Sequence, residues 1–481
     1  MDMYDFLKLS DGECQELCEL IVQDFDCSQS EPIRIKTIKQ TFERIGNLAQ
    51  KLKCLTINNI FLLNKLTPSE LQYVFGQILQ CPLTTLTFHH NFLSDFSPEQ
   101  LRAIFGEIAK HSHLVSLIFI DEYLGSMKPK QLEAIFETIE NSPLVHLGLT
   151  QDYFGADKDI IWKRKLSLFG RTTPDEREAL ETVFKIIPRL KITSLDLSNN
   201  YLGNMDTELT HIMCAGISPQ LQVLNLSKNC LDNMKFEPFE ILFNRIACLQ
   251  LEHLNLSSNY FYVNTPKDEH MKRTKLISQA LTKLPLKEFF CDHCLFRIPT
   301  EALKVLFQGI ESCSLLESLN LASAGIFSDS TITATEKIDR SVLMSATLSR
   351  LPLVQLNLNG NGLGCLQLDS LDILIKGIAS CARLNVLSLE FNYFYVKGVW
   401  QDYDPALEDE NSRRQGLVHK LKEILPSLTI KLSDVPPKGD HHAEFIGGLR
   451  TKKSEQFVIC DKPQQEPVEA KDSCRMISRP K

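Results

Sequence analysis

Two cysteines and a histidine lie close together in residues 291–296, which read C-D-H-C-L-F. Thiolates and imidazoles are zinc ligands, and a Cys-x-x-Cys pair can also cycle between a dithiol and a disulfide. A closed zinc site needs four ligands, and no second Cys-x-x-Cys lies nearby in the sequence. Whether Cys291, His293 and Cys294 form a site therefore depends on the secondary structure that positions them.

A Leu-x-x-Leu-x-Leu motif recurs along most of the chain, most often at a spacing of 29 to 31 residues. Each copy predicts one short parallel β-strand whose leucines point into a shared core, because no copy can bury its apolar face alone. Eleven copies are clear, and a degenerate last copy begins at Leu425. The clear copies begin at Leu52, Leu83, Leu114, Leu144, Ile192, Leu221, Leu251, Leu286, Leu316, Leu353 and Leu384.

An asparagine follows the last apolar residue of the motif by three positions in six copies. Its side chain is expected to satisfy backbone groups of the next turn that would otherwise be buried without partners. These asparagines are Asn91, Asn200, Asn229, Asn259, Asn361 and Asn392. The pattern resembles the leucine-rich repeat, of the ribonuclease-inhibitor-like subtype, over about residues 50–432. The resemblance implies an α/β leucine-rich-repeat solenoid (a horseshoe), with parallel strands on the concave face and helices on the convex face.

The second half of each repeat predicts a helix. In "TPSELQYVFGQI" and "SPEQLRAIFGEI", Thr67 and Ser97 are the N-cap residues, and each is followed by a proline at the first helical position. Thr67 with Glu70, and Ser97 with Gln100, predict capping boxes. The apolar residues that follow repeat at helical spacing, which favours packing in the core over a ligand groove.

Three segments make up the predicted domain organisation. Residues 1–50 are expected to form a helical N-terminal cap, and residues 51–432 a solenoid of about eleven to twelve repeats. Residues 433–481 carry no sustained periodicity and are expected to form a polar, disordered tail.

The repeat register answers the question raised by residues 291–296. Cys291 takes the position of the last leucine in the strand motif, and Cys294 takes the asparagine position, where cysteine is a known alternative. Two thiols in framework positions are poorly placed to converge on a metal ion. Cys248, Cys313 and Cys381 each precede a strand motif by three residues, which also indicates packing. The sequence therefore predicts no metal site, no cofactor and no catalytic group.

Composition limits the classes of partner and the compartment. The net charge of −8 gives no reason to expect nucleic acid, and no apolar run is long enough to cross a bilayer. The N-terminal residues lack the features of a secretory signal peptide. The 15 cysteines are odd in number and widely scattered, so reduced thiols and a cytoplasmic location are predicted.

Six aromatic residues directly follow the asparagine position and would form a series along one edge of the solenoid. A tyrosine on a rigid frame is a preferred recognition residue, although these rings could equally pack on neighbouring loops. They are Phe92, Tyr123, Tyr153, Tyr201, Tyr260 and Tyr393. The outward positions of the strands are small and polar, and they are expected to form either a solvated face or a second binding surface.

Four of the spacings between motif copies exceed the usual repeat length, and the extra residues lie shortly after the asparagine position. Insertions at one phase of a solenoid are expected to emerge as loops on one rim, commonly the rim that binds a partner. Both tryptophans, Trp162 and Trp400, lie in such inserts. The first insert is basic and includes Arg164, whereas the last is largely acidic, which would favour one orientation of a partner.

The leading interpretation is a non-enzymatic scaffold that binds another protein through the strand-to-helix loops and the concave face. The chain also resembles leucine-rich-repeat effectors that intracellular bacteria inject into host cells, which would make the partner a host protein. The alternative is a GTPase-activating protein of the leucine-rich-repeat type, in which an arginine from a strand-to-helix loop acts on the nucleotide. Only Arg164 and Arg171 stand in such a loop, and their spacing departs from that family's pattern.

Overall fold

The computed structural model describes residues 1–23, 30–151, 176–328, 331–392, 416, 421 and 423–431. In these residues the strands form one parallel sheet of thirteen strands, arranged in the order of the chain. The strands β1 to β13 are Glu19–Gln23, Cys54–Asn58, Thr85–His89, Ser116–Ile120, His146–Thr150, Ser194–Asp196, Val223–Asn225, His253–Asn255, Glu288–Phe290, Ser318–Asn320, Gln355–Asn357, Val386–Ser388 and Thr429–Lys431.

Corresponding motif positions pair across the sheet, so every repeat keeps the same register. Leu86 pairs with Leu117, and Leu195 pairs with Leu224. The leucines face a continuous buried core, and the alternate residues face outward. Strands lie about 4.8 Å apart and packed helices about 8–10 Å apart, so the strand side must be the concave one. The predicted leucine-rich-repeat solenoid is confirmed.

A helix returns the chain between most successive strands. The helices are Met3–Lys8, Asp11–Glu16, Glu31–Leu48, Pro68–Ile78, Pro98–Lys110, Pro129–Phe136, Glu176–Ile186, Thr207–Gly216, Phe236–Ile246, Lys267–Leu281, Thr300–Glu311, Ala334–Leu348 and Leu368–Ala379. The two predicted capping boxes are present at Thr67 and Ser97. Gln100 also donates from Nε2 to the carbonyls of Asn64 and Leu66, at 2.9 and 2.8 Å, and so ties its helix to the preceding repeat.

The N-terminal 50 residues contribute a strand as well as helices. Strand β1 pairs with β2 in parallel, with Leu20 opposite Leu55 and Val22 opposite Ile57. Leu20 and Val22 are buried, while Ile21 is 51% exposed. Residues 17–22 read L-C-E-L-I-V and fit the strand motif with valine in the last position, so this strand is a further copy that the sequence analysis assigned to a helical cap.

The predicted asparagines form a ladder between repeats. Asn229 donates from Nδ2 to Leu197 O at 2.9 Å and to Leu226 O at 3.0 Å. Its Oδ1 accepts from the backbone N–H of Asn200 at 2.8 Å and of Leu202 at 3.4 Å. Each ladder side chain therefore donates to the strand ends and accepts from the turn of the preceding repeat.

Two of the four inserts do not form rim loops. Residues 262–275 and 331–340 mostly begin or lengthen helices, which reach 15 residues in Lys267–Leu281 and in Ala334–Leu348. Buried arginines explain this arrangement. Arg273 donates to the carbonyls of Leu231 and Met234, and Arg340 donates to those of Ile326 and Ile298. For these two inserts, the expectation of exposed loops on the rim is wrong.

Candidate functional site

The Cys-x-x-Cys pair lies in the core, as the repeat register predicts. Cys291 and Cys294 are both buried, and burial raises the pKa of the Cys291 thiol well above its usual value. Cys294 Sγ donates to Leu256 O at 2.9 Å, in place of an asparagine amide. Within the described ranges, no group of three or more His, Cys, Asp or Glu side chains could hold a metal ion. The cysteine prediction fails at Cys248, which is exposed.

The strand-to-helix turns fix the direction of the aromatic side chains. In several repeats the residues on both sides of the ladder position adopt the left-handed conformation, for example His90 at φ 58° and Phe92 at φ 54°. This conformation is unfavourable for residues other than glycine. The ladder side chain of the next repeat compensates, because it accepts hydrogen bonds from backbone N–H groups of this turn, as Glu122 does from Asn91 and Leu93. The aromatic rings are therefore held by the backbone of a rigid turn.

Each repeat is numbered by its strand, so that repeat one contains β1. Four aromatic side chains of repeats two to four pack into one surface, which we call the aromatic rim: Phe61, His90, Phe92 and Tyr123. Phe61 and Phe92 have ring centroids 5.1 Å apart, and Phe92 stacks on Tyr123 at 5.4 Å with an interplanar angle of 13°. His90 contacts Phe92 at 4.6 Å, and its Nδ1 lies 3.0 Å from Asp121 Oδ2.

The members of the aromatic rim differ in exposure. Phe61 is 38% exposed and Phe92 is half-buried, whereas Tyr123 is only 6% exposed. Tyr201 of a later repeat also packs against Tyr123. Tyr123 therefore supports its neighbours from below, and Phe61 and Phe92 present the apolar surface to solvent. Aromatic side chains that are held rigidly in this way contribute contact area at a small entropic cost.

Tyr260 stands apart from the aromatic rim. It is half-buried, its ring lies edge-on to His293 at 6.4 Å, and burial raises the pKa of its hydroxyl group. The remaining predicted binding residues fall outside the described residues. Tyr153, Trp162 and Arg164 lie in residues 152–175, and Tyr393 and Trp400 lie in residues 393–415.

The concave face has two chemically different parts. Beside the aromatic rim it carries the aliphatic side chains of Ile118 and Ile120. From β6 onward it carries amides and carboxylates that pair with each other across neighbouring strands. Asn225 Nδ2 donates to Asp196 Oδ2 at 2.9 Å, and Asn320 Nδ2 donates to Asp292 Oδ1 at 3.2 Å. These pairs are typical of a solvated polar surface.

One contact on the concave face resembles a catalytic pair. His146 Nδ1 lies 2.8 Å from Ser194 Oγ, and burial lowers the pKa of His146. Ser194 is 5% exposed, however, so its hydroxyl group is poorly accessible to a substrate. This geometry fits a structural hydrogen bond between two repeats better than an activated nucleophile.

Two residues of this region were missed by the sequence analysis. Phe61 directly follows Ile60, which takes the asparagine position in the first motif copy, so Phe61 belongs to the same aromatic series although no asparagine marks its repeat. Glu122 occupies the asparagine position of its repeat and is completely buried beneath the aromatic rim. Its position in the register was visible, but buried carboxyl groups are rare enough that the pattern predicted nothing about it.

Comparisons with known proteins show limited similarity. No protein-family model matches the chain. A stretch of 121 residues, 25% of this chain, is 32% identical to Toll-like receptor 2 type-2 of Gallus gallus, and the match spans 15% of that receptor. The leucine-rich repeat-containing protein LegL7 from Legionella pneumophila is similar over 72% of this chain and 93% of that one, with 17% identity and a TM-score of 0.46. Among the described helices, none has the length and apolarity needed to span a bilayer.

Proposed function

We propose that this chain is a non-enzymatic scaffold that binds another protein through its strand-to-helix turns and the adjacent concave face. The observation that carries the proposal is the aromatic rim, where Phe61 and Phe92 lie side by side on rigid turns. Aromatic side chains concentrated on a pre-organised surface are typical of protein-binding hot spots.

The electrostatics and the shape support the same function. The aromatic rim is bordered by Ile118 and Ile120 and by Asp121, which pairs with the His90 side chain of the rim. An apolar centre with polar groups at its edge is the usual anatomy of a protein interface. We further propose that Tyr201 and Tyr260 extend the surface, and that Tyr153, Trp162, Arg164, Tyr393 and Trp400 add contacts to it.

The repeat subtype, the cellular location and the effector role remain predictions from the sequence. The ribonuclease-inhibitor-like subtype is favoured by the full helix in most repeats. A cytoplasmic location is favoured by the scattered cysteines, which are free in the described part of the chain. An effector role inside a host cell is favoured by the resemblance of the repeats and the polar tail to such effectors. GTPase activation would depend on Arg164, for which the structure provides no geometry.

Site-specific photo-crosslinking tests the proposed function. A benzophenone amino acid replaces Phe61 in one variant and Tyr73 in a second variant, and each full-length protein is irradiated in cell lysate. Tyr73 is the matched control because it is also aromatic and 51% exposed, but it lies on the helix Pro68–Ile78. The proposal predicts a specific adduct from position 61 that position 73 does not give.

The partner captured by crosslinking is then identified and purified, and its binding to this protein is measured directly. The substitution pair Phe61→Ala and Phe92→Ala is expected to weaken binding at least tenfold, because hot-spot truncations commonly cost about 2 kcal/mol or more. Equal adducts from both positions, or an unchanged dissociation constant in the double variant, would show that the binding surface lies elsewhere.

A further inference from the structure

Glu122 performs the role of a ladder asparagine with a group that can ionise. Its side chain is completely buried. Oε1 accepts hydrogen bonds from the backbone N–H and from Nδ2 of Asn91, each at 2.9 Å. Oε2 accepts from the backbone N–H of Leu93 at 3.2 Å. Its carboxyl group therefore replaces the acceptor side of an asparagine amide at the junction between repeats three and four.

These hydrogen bonds hold the turn that presents Phe92. Asn91 precedes Phe92 and Leu93 follows it, so the carboxyl group fixes the peptide groups on both sides of the ring. The residues next to Glu122 contact the same turn, since Asp121 pairs with His90 and Tyr123 stacks on Phe92. Residues 121–123 thus match residues 90–92 one for one.

A buried carboxyl group responds to pH, whereas an asparagine amide does not. Burial raises the pKa of Glu122 to about 7, although the hydrogen bonds from Asn91 and Leu93 and the proximity of His90 lower it. An ionised carboxylate strongly prefers water to a buried site, so ionisation favours any local opening that hydrates it.

We propose that Glu122 is a positioning residue that makes the aromatic rim sensitive to pH. With its carboxyl group protonated, the junction between repeats three and four is closed and Phe92 is held in place. With the carboxylate ionised, this junction opens locally much more often. The consequence for binding rests on the proposed function, but the opening is a property of the free protein.

The direction of the effect follows from linkage. The pKa of Glu122 in the closed state is raised above its value of 4.5 in water, so the protonated form stabilises the closed state. This contribution is complete below about pH 4.5 and is lost as the pH rises to about 7. The opening equilibrium is therefore expected to increase by at most about 300-fold over this interval, and to stay constant above it.

Other ionisable groups in the same turns require a control. His89, His90 and Asp95 belong to repeat three, and Asp121 to repeat four. Burial lowers the pKa of His89, and Asp121 opposes that effect. The His90–Asp121 pair joins the same two turns, so His90→Gln separates its contribution from that of Glu122.

Hydrogen exchange of the free full-length protein, followed by mass spectrometry from pH 5 to 8.5, tests the inference. After correction for intrinsic exchange rates, protection in peptides that contain Asn91 and Leu93 should fall by up to two orders of magnitude between pH 5 and 7.5. Glu122→Gln should abolish this pH dependence, and His90→Gln should retain it. Peptides that contain Asn200 and Leu202, which are bonded to Asn229, serve as the internal control with constant protection.

A converse variant keeps the test informative if Glu122→Gln fails to fold. Asn229→Asp places a carboxyl group in another ladder position and should create pH-dependent protection at Asn200 and Leu202. A wild-type protein with pH-independent protection at Asn91 and Leu93, or a pH dependence that disappears in His90→Gln, would overturn the inference. Neither result would affect the proposed function, which fails if positions 61 and 73 give equal adducts or if the Phe61 and Phe92 substitutions leave binding unchanged.

Discussion

The thiol of Cys294 donates a hydrogen bond to the carbonyl oxygen of Leu256 at 2.9 Å. One repeat earlier, Nδ2 of Asn259 donates to the equivalent carbonyl, Leu226 O, also at 2.9 Å. The second cysteine of the Cys-x-x-Cys pair is therefore a member of the ladder. Its thiol satisfies a buried backbone group and is not available to a metal ion.

Substitution of Cys294 distinguishes this structural role from a chemical one. Cys294→Ala removes one of the two side-chain donors to Leu256 O, the other being Asn259 Nδ2 at 2.7 Å, and is expected to lower the free energy of unfolding by about 1 kcal/mol. Cys294→Asn should retain more of the stability, because asparagine performs the same role in other repeats. Urea denaturation measures both effects, and Cys248→Ala is the control at an exposed cysteine. A greater loss with asparagine than with alanine would contradict the ladder assignment.

The buried carboxyl group of Glu122 predicts a pH dependence of global stability. Its pKa of about 7 lies above the value of 4.5 in water, so the wild-type protein should lose stability relative to Glu122→Gln as the pH rises from about 4.5 to 7. The full difference corresponds to about 3 kcal/mol. Denaturation midpoints of both proteins, measured from pH 5 to 8, test this. Parallel pH profiles would show that Glu122 does not titrate in this range.

The buried guanidinium group of Arg273 predicts a large effect of truncation. It bonds Glu269 at 2.9 Å and donates to backbone carbonyls of the preceding repeat. Arg273→Ala is expected to cost about 3 kcal/mol or more, because Met234 O and Leu231 O would each lose a charged donor in the core and Leu231 O would keep only the Met234 N–H. Lys275→Ala, an exposed change on the same helix, should be nearly neutral in the same urea titration. Similar stabilities of the two variants would contradict the proposed role of Arg273.

Two helical glycines predict opposite effects of the same substitution. A Cβ at Gly46 would lie 2.2 Å from Gln77 O, so Gly46→Ala should force neighbouring helices apart and lower stability by at least about 1–3 kcal/mol. At Gly76 the nearest atom would be Glu107 Oε2 at 3.8 Å, so Gly76→Ala should raise stability by up to about 1 kcal/mol. Thermal denaturation of both variants measures the signs, and equal signs would contradict the packing described.

The periodic part of the fold was predictable from the sequence because each repeat satisfies the same physical requirements. The spacing of leucines gave the strands and their register, and Thr67 and Ser97 gave helix starts that the structure confirms. The same register placed Cys291 and Cys294 in the core. These features repeat, so a single sequence contains many independent copies of the same evidence for them.

Features that do not recur in every repeat could not be predicted from the sequence. Arg273 and Arg340 belong to inserts whose length suggested loops, and no pattern reveals that a guanidinium group is buried against carbonyls of the preceding repeat. Strand β1 carries the motif in residues 17–22, but Phe25 stands at its asparagine position and the segment was assigned to a helical cap. Within the aromatic series, sequence spacing could not separate the buried Tyr123 from the more exposed Phe92, because this difference depends on packing across repeats.

The dissociation constant of the crosslinked partner, measured by calorimetry, tests the central claim most directly. Wild-type protein is compared with the Phe61→Ala/Phe92→Ala double variant and with Tyr73→Ala, at a temperature where all three are folded. The account predicts at least tenfold weaker binding for the double variant and an unchanged constant for Tyr73→Ala. Equal affinity of all three proteins would contradict recognition through the aromatic rim.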